Sequence, residues 1–194
     1  MTTPLGLVYE YEYDGKKVTK AKSSEGIEYN FTYDSHGNPV TSTLKETNGT
    51  QKIATSSGYS PNGNYQDTVT DALGNTSGYT YDGATGLLLS TTAPNTATTN
   101  YTYNFANNAL LSVSSNGVTN SYTYENDRLK TITHNGFDYE FFYHNGYNTA
   151  VSAAGRILIV NQYNHQKGLL TKSTYGNGYA INYTYDSQLR LTEK

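Results

Sequence analysis

Aromatic positions recur along this chain in short alternating bursts: a ring, one residue of another kind, a second ring, then an acidic or amide side chain. Four copies are clean: Tyr11-Glu12-Tyr13-Asp14, Phe31-Thr32-Tyr33-Asp34, Tyr79-Thr80-Tyr81-Asp82 and Tyr183-Thr184-Tyr185-Asp186. Tyr101-Thr102-Tyr103 and Tyr122-Thr123-Tyr124 end instead in Asn104 and Glu125, Phe141-Phe142-Tyr143 ends in His144, and Tyr59 and Tyr163 mark degenerate copies. The second ring falls at 13, 33, 59, 81, 103, 124, 143, 163 and 185, nine anchors spaced 19 to 26 residues apart. Alternation with period two predicts a strand, with both rings of a copy on one face and the residue between them on the other.

Each interval between anchors also carries a turn signal. In order these are Glu25-Gly26, Asn48-Gly49, Gly74-Asn75, Pro94-Asn95, Asn116-Gly117, Asn135-Gly136, Ala154-Gly155 and Asn177-Gly178. Asn-Gly is the strongest short hairpin signal, because a type I′ turn needs positive φ at both central residues. From Gly26, Gly74, Gly117, Gly136 and Gly178 the next anchor tyrosine is seven residues on, so one strand of fixed length runs from turn to anchor. A second reversal follows the anchor, as in Asp34-Ser35-His36-Gly37, and opens into an aliphatic strand start such as Val40, Leu87-Leu88 or Leu169-Leu170. The repeating unit is therefore a hairpin, and the chain is predicted to be all-β, with about 16–18 short antiparallel strands. No helical periodicity runs to useful length, and Ile157 to Val160 is too short and too β-branched to suggest a helix.

Composition refines this picture in a few places. Leu, Ile, Val and Phe together are only 34 of 194 residues, while Tyr alone supplies 21, so any core is expected to be built from rings. Thirteen Lys and Arg against sixteen Asp and Glu, with no basic block, remove the clustered positive charge that nucleic-acid binding needs. No apolar run reaches the length of a membrane span, so no membrane insertion is expected, and this segment carries no signal-peptide pattern. With no cysteine there is no disulfide, thiolate metal site or thiol nucleophile.

The candidate chemistry is thin. Asp14, Asp34, Asp82 and Asp186 invite reading as calcium ligands, but they come one per repeat at a strand end, where a carboxylate accepts backbone N–H groups and starts a turn. Asn104, Asn164 and Ser60 stand at the same place and keep that acceptor. Tyr13, Tyr33, Tyr81, Tyr103, Tyr124 and Tyr185 recur with the fold period, which favours a ladder of equivalent rings between neighbouring hairpins over a ligand platform. His36, His134, His144 and His165 show no metal-ligand spacing, and no Ser-His-Asp arrangement, nucleophile elbow or phosphate loop occurs. The sequons at Asn30, Asn48, Asn75, Asn100 and Asn182 largely follow from the repeat. No catalytic residue, metal or cofactor is expected, and the chain reads as a non-enzyme.

The nine anchors resemble the YD repeats of the Rhs family, found in bacterial polymorphic toxins, insecticidal toxin complexes and teneurins. The resemblance runs through Gly26 to Val40, Gly74 to Leu88, Gly117 to Leu129 and Gly178 to Leu191, with Asp127-Arg128-Leu129 and Gln188-Leu189-Arg190-Leu191 as the basic-aliphatic step. It implies that residues 1–194 form one YD-repeat segment of a longer protein, its hairpins adding side by side into one spiralling antiparallel sheet, an open piece of a β-shell. In full-length members such a shell closes and holds a C-terminal effector apart from the producing cell. The implied partners are neighbouring YD repeats and that effector, and the implied location is secreted or wall-associated in a bacterium. Nine two-stranded units span roughly 80–90 Å at about 4.8 Å per strand, too little to enclose an effector alone. Two further expectations stand beside this: attachment to cell-surface glycans through exposed rings, and self-association through edge strands at Leu7–Tyr13 and Leu189–Lys194.

Overall fold

The computed structural model describes residue 6 and residues 8–46 and 49–194. The Asn48 half of the turn signal at Asn48-Gly49, the Asn48 sequon and Leu7 of the expected edge strand lie outside the described residues. Two compact units divide the chain, Met1–Asn100 and Tyr101–Lys194. The first contains β1 (Tyr9–Asp14), β2 (Lys17–Ser23), β3 (Ile27–Tyr33), β4 (Pro39–Glu46), β5 (Gln51–Tyr59), β6 (Gln66–Thr70), β7 (Thr76–Tyr81) and β8 (Leu88–Thr92). Strand β9 (Thr98–Asn104) runs across the boundary. The second unit continues with β10 (Ala109–Ser115), β11 (Val118–Glu125), β12 (Arg128–His134), β13 (Phe137–His144), β14 (Tyr147–Ala153), β15 (Arg156–Asn164) and β16 (Leu169–Tyr175). It ends with β17 (Ala180–Asn182), β18 (Thr184–Tyr185) and β19 (Leu191–Glu193).

The fold is all-β: strands β1 to β17 belong to a 17-stranded sheet and β18–β19 form a two-stranded one. Pairing is antiparallel and follows chain order, β2 with β3, β3 with β4, and so on through each unit. Among the described residues the strand count slightly exceeds the sequence expectation because the last repeat breaks. At Tyr183, between β17 and β18, the backbone N–H still donates to the Thr171 carbonyl at 2.9 Å, but the ladder is interrupted.

The turns explain the topology. Asn116-Gly117, Asn135-Gly136 and Ala154-Gly155 close two-residue hairpins, with φ of 50° and 79°, 48° and 78°, and 47° and 75°. These are the paired positive values that match the twist of the flanking strands. Gly26, Gly74 and Gly178 also take positive φ, at 85° each, in four-residue reversals, and Gly49 takes a φ of 86°.

A core of rings is not what forms. Among the described residues Ala21 is the one buried apolar side chain, the buried polar ones are Ser23, Ser152 and Ser173, and no large side chain is fully buried. The physical reason is the pairing itself. Hairpins that add sideways satisfy their backbones with each other, and no second layer need cover the side chains. The rings lie half-exposed along the strands, and several aliphatics, Ile157, Leu158 and Val160 among them, remain exposed.

Candidate functional site

The motif residues gather at one end of each hairpin, where the register slips. Between the middle residue and the second ring, the partner strand gains one residue in every register described. Thr32 faces Thr41 but Tyr33 faces Pro39, and Thr123 faces Thr131 but Tyr124 faces Leu129. The same shift falls at Glu12/Tyr13, Gly58/Tyr59, Thr80/Tyr81, Phe142/Tyr143, Gln162/Tyr163 and Thr184/Tyr185. A bulge of this kind unpairs one residue and disturbs the ladder locally. Carbonyls at this end then need another donor.

The anchor hydroxyl supplies it. Tyr33 donates to the Val18 carbonyl at 2.8 Å, Tyr59 to Pro39 at 3.2 Å, Tyr124 to Leu110 at 2.9 Å and Tyr185 to Leu170 at 2.9 Å. The acceptors have a pattern of their own. Val18 faces Tyr13, Pro39 faces Tyr33 and Leu170 faces Tyr163, so the hydroxyls of Tyr33, Tyr59 and Tyr185 each reach the residue opposite the preceding anchor. In those repeats the bond requires a phenol at the second ring; across the sequence the first ring can be Phe31 or Phe141, whereas all nine second rings are tyrosines.

The contacts on the anchor rings differ in kind from a ladder of equivalent rings. The partner in four repeats is a side chain from just past the preceding reversal, 15 or 16 residues earlier. The Lys17 ammonium lies 5.3 Å from the Tyr33 ring centre and the Arg128 guanidinium 5.7 Å from that of Tyr143. Tyr65 stacks on Tyr81 at 5.0 Å and Tyr147 on Tyr163 at 4.8 Å. Cation over ring and ring over ring are interchangeable here because both place an attractive flat or charged partner on a π face. In β1 the rings instead meet along their own strand, Tyr9 with Tyr11 at 6.4 Å and Tyr11 with Tyr13 at 6.3 Å, and Tyr13 is 60% exposed. Burial raises the phenol of Tyr103, with a further push from Tyr101, and burial likewise raises that of Tyr163.

The aspartates cap the reversal that follows. Asp34 Oδ1 accepts the N–H groups of His36 at 2.9 Å and Asn38 at 2.8 Å, while its Oδ2 accepts the Asn38 side chain at 3.1 Å. Asp186 does the same with Gln188 and Arg190, both at 2.9 Å, and adds the Arg190 guanidinium at 2.7 Å. Asp82 accepts the Ala84 and Thr85 amides and the Thr85 hydroxyl. Asn104 and Asn164 repeat the bond to the amide two residues on, at 3.0 and 3.1 Å. In Asp34 partial burial works against the charge, but the donors from Asn38, His36 and Gly37 outweigh it and hold the carboxyl below its ordinary range. Asp82 is depressed chiefly by the Thr85 hydroxyl and Asp186 chiefly by the Arg190 amide. Asp14 ends β1 facing Lys17 across a two-residue turn.

Between the rings, the middle residues make a row of their own. Thr32 bonds Thr41 at 2.6 Å, Thr80 bonds Ser90 at 2.7 Å, Thr102 bonds Ser112 at 2.7 Å, Thr123 bonds Thr131 at 2.6 Å and Thr184 bonds Thr192 at 2.9 Å, hydroxyl to hydroxyl. In the first repeat an ion pair replaces it, Glu12 with Lys20 at 3.0 Å. All five of these threonines are exposed.

The chain has a clear structural likeness to toxin-complex proteins. It superposes on the TcdB2-TccC3-Cdc42 crystal structure with a TM-score of 0.55 over 95% of its length at 18% identity. On a Tc holotoxin pore from Photorhabdus luminescens the TM-score is 0.58 over 98% of its length at 16% identity. The chain spans only 10% and 14% of those two chains. At such identities the likeness establishes the fold, a YD-shell-like run of β-hairpins. No family model matches the sequence, and no curated protein does.

Some of this arrangement was visible in the repeat and some was not. Asp71 plays the same capping role as the motif aspartates at the opposite end of its hairpin, accepting Leu73 and Asn75 amides at 2.8 and 2.9 Å, and the Asn75 side chain chiefly depresses its carboxyl. The signal was present, since Asp71-Ala72-Leu73-Gly74-Asn75 repeats the outline of Asp34-Ser35-His36-Gly37-Asn38. Lys17, Tyr65, Arg128 and Tyr147 had no such signal, because their chemical type changes from repeat to repeat. Chemically, the carboxylates of Asp34, Asp82 and Asp186 already have donors in the turns they cap. Among the described residues no group of three or more His, Cys, Asp or Glu is placed to share a metal.

Proposed function

We propose that this chain is a non-catalytic wall segment of the β-shell of a secreted bacterial Rhs-type toxin, in which residues 1–194 are consecutive YD repeats of a longer protein. Its neighbours in that protein are further YD repeats, and the shell encloses or displays a C-terminal effector outside the producing cell. The observation that carries this reading is the superposition of 95–98% of the chain on a tenth or so of toxin-complex chains, combined with a sheet that has no core of its own. A sheet that buries almost no side chain fully makes sense as wall, since its stability comes from lateral neighbours. Under the same reading the aromatic and aspartate motif is structural, with tyrosine hydroxyls bridging the bulges and aspartates closing the turns.

The test is on the full-length product of the natural gene. Limited proteolysis should leave its C-terminal region protected, and two prolines placed within β11 and β12, at Ser121 and Thr133, should open the wall and expose that region to cleavage. A C-terminal region cut equally fast in both proteins, or a hydrolytic activity that resides in residues 1–194, would overturn the assignment.

A further inference from the structure

We propose that His144 and His165 together form a two-imidazole site for a borderline divalent cation such as copper, nickel or zinc. The two residues sit in successive repeats, His144 at the end of β13 where other copies carry the capping aspartate, and His165 directly after Asn164, which holds that place in the next copy. Folding brings their ring centres to 5.8 Å with the planes at 75°. A metal bound to one nitrogen of each ring at about 2.1 Å lies about 3.2 Å from each ring centre, so two rings at the tetrahedral angle have centres about 5.2 Å apart. The observed separation of the ring centres is within about 0.6 Å of that value, and both side chains are exposed.

Neither imidazole is engaged elsewhere among the described residues by a hydrogen bond or an ion pair. The reversal after His144 explains its freedom. Asn145 and Gly146, with φ of 47° and 90°, close it as a two-residue turn that needs no side-chain cap. Tyr147 supports the other partner: its ring stacks on Tyr163 at 4.8 Å and lies 5.6 Å from the His165 ring. The residues around the pair, 144–147 and 164–168, include no carboxylate. Calcium and magnesium require oxygen ligands, whereas imidazole suits copper, nickel and zinc, so the donor set selects the second group, with water completing the coordination.

Calorimetric titration of the untagged chain with copper, nickel and zinc salts, one at a time, tests the site. One ion per chain is expected at the tightest site, and His144→Asn and His165→Asn should each weaken it at least tenfold, while His134→Asn leaves it unchanged. Circular dichroism verifies that each variant keeps its strands. In a parallel copper titration followed by proton NMR, the ring signals of His144 and His165 should broaden together and before those of His36 and His134. Unchanged affinity in His165→Asn, or equal broadening of all four histidines, would overturn the proposal by showing independent single-imidazole binding. Calcium binding of equal strength would overturn the donor-set argument.

Discussion

A phenol differs from a phenyl by one oxygen, and Tyr33, Tyr59, Tyr124 and Tyr185 direct that oxygen to a backbone carbonyl of an earlier strand. Tyr124 is the cleanest case, with its hydroxyl 2.9 Å from the Leu110 carbonyl. Replacing it by phenylalanine should lower unfolding stability by about 1 kcal/mol, the usual net worth of such a bond. Tyr122→Phe, at the position where other copies already carry phenylalanine, should change it by less than about 0.5 kcal/mol. Urea melts of the two variants at equal concentration measure the difference, and equal losses would remove the hydroxyl from the explanation. A second residue-scale test concerns backbone strain. Ala154 holds φ of 47° at a place where neighbouring hairpins use Asn116 and Asn135. The left-handed conformation costs an ordinary L-residue about 1–2 kcal/mol, so Ala154→Gly should stabilise the chain by about 1 kcal/mol. A lower melting temperature in that variant would contradict it.

At the scale of the hairpin, two-residue turns and strand lengths were legible because Asn-Gly and alternating rings are local signals. The bulge was not. The extra residue is Thr19, Val40, Asp67, Leu89, Lys130, Thr149, Thr171 or Thr192 in successive registers, and no residue type marks it. Likewise the partner of an anchor ring is lysine, arginine or tyrosine, a choice set by geometry that the sequence alone does not display. The aspartate caps were legible in type and place, and they carry a pH dependence. Asp34, Asp71, Asp82 and Asp186 are all depressed in the folded chain, so that state binds fewer protons than the unfolded one at acidic pH. Their contribution is fully present above the ordinary aspartate range and is lost as pH falls below about 4 through the lowered folded values. Melting temperature recorded from pH 6 down to pH 2.5 should fall in this window. Asp34→Asn and Asp71→Asn should flatten the fall, and a profile unchanged by both would dissociate the turns from acid sensitivity.

For the whole chain, the expectation that misled was the core. Twenty-one tyrosines suggested a packed interior, yet rings that reach sideways along a sheet are only half covered. Side chains are partly covered and almost none is fully buried, so unfolding of the isolated chain should show a heat-capacity change below that of a packed domain of this length and a shallow transition, with hydrogen exchange graded along the sheet. A single sharp calorimetric transition with ordinary heat capacity for this length would argue for a hidden second layer formed in solution. Five of the six residues of β1 are exposed, Tyr11 and Tyr13 among them, and sedimentation should show concentration-dependent association that Tyr11→Lys weakens. A strict monomer at high concentration would remove that strand as the sticky element.

The missing core also bears on how such chains evolve. Where no side chain must interlock with an opposing layer, most positions answer only to strand propensity and solubility, and drift meets few vetoes. What selection must hold is sparse: a phenolic oxygen, a cap, and a turn about every twenty residues. Sequences built this way can differ at most other positions and still share a backbone path, as this chain shares one with the toxin-complex chains at 16–18% identity. The fold of such proteins is then better recorded by the path of the backbone than by the letters along it.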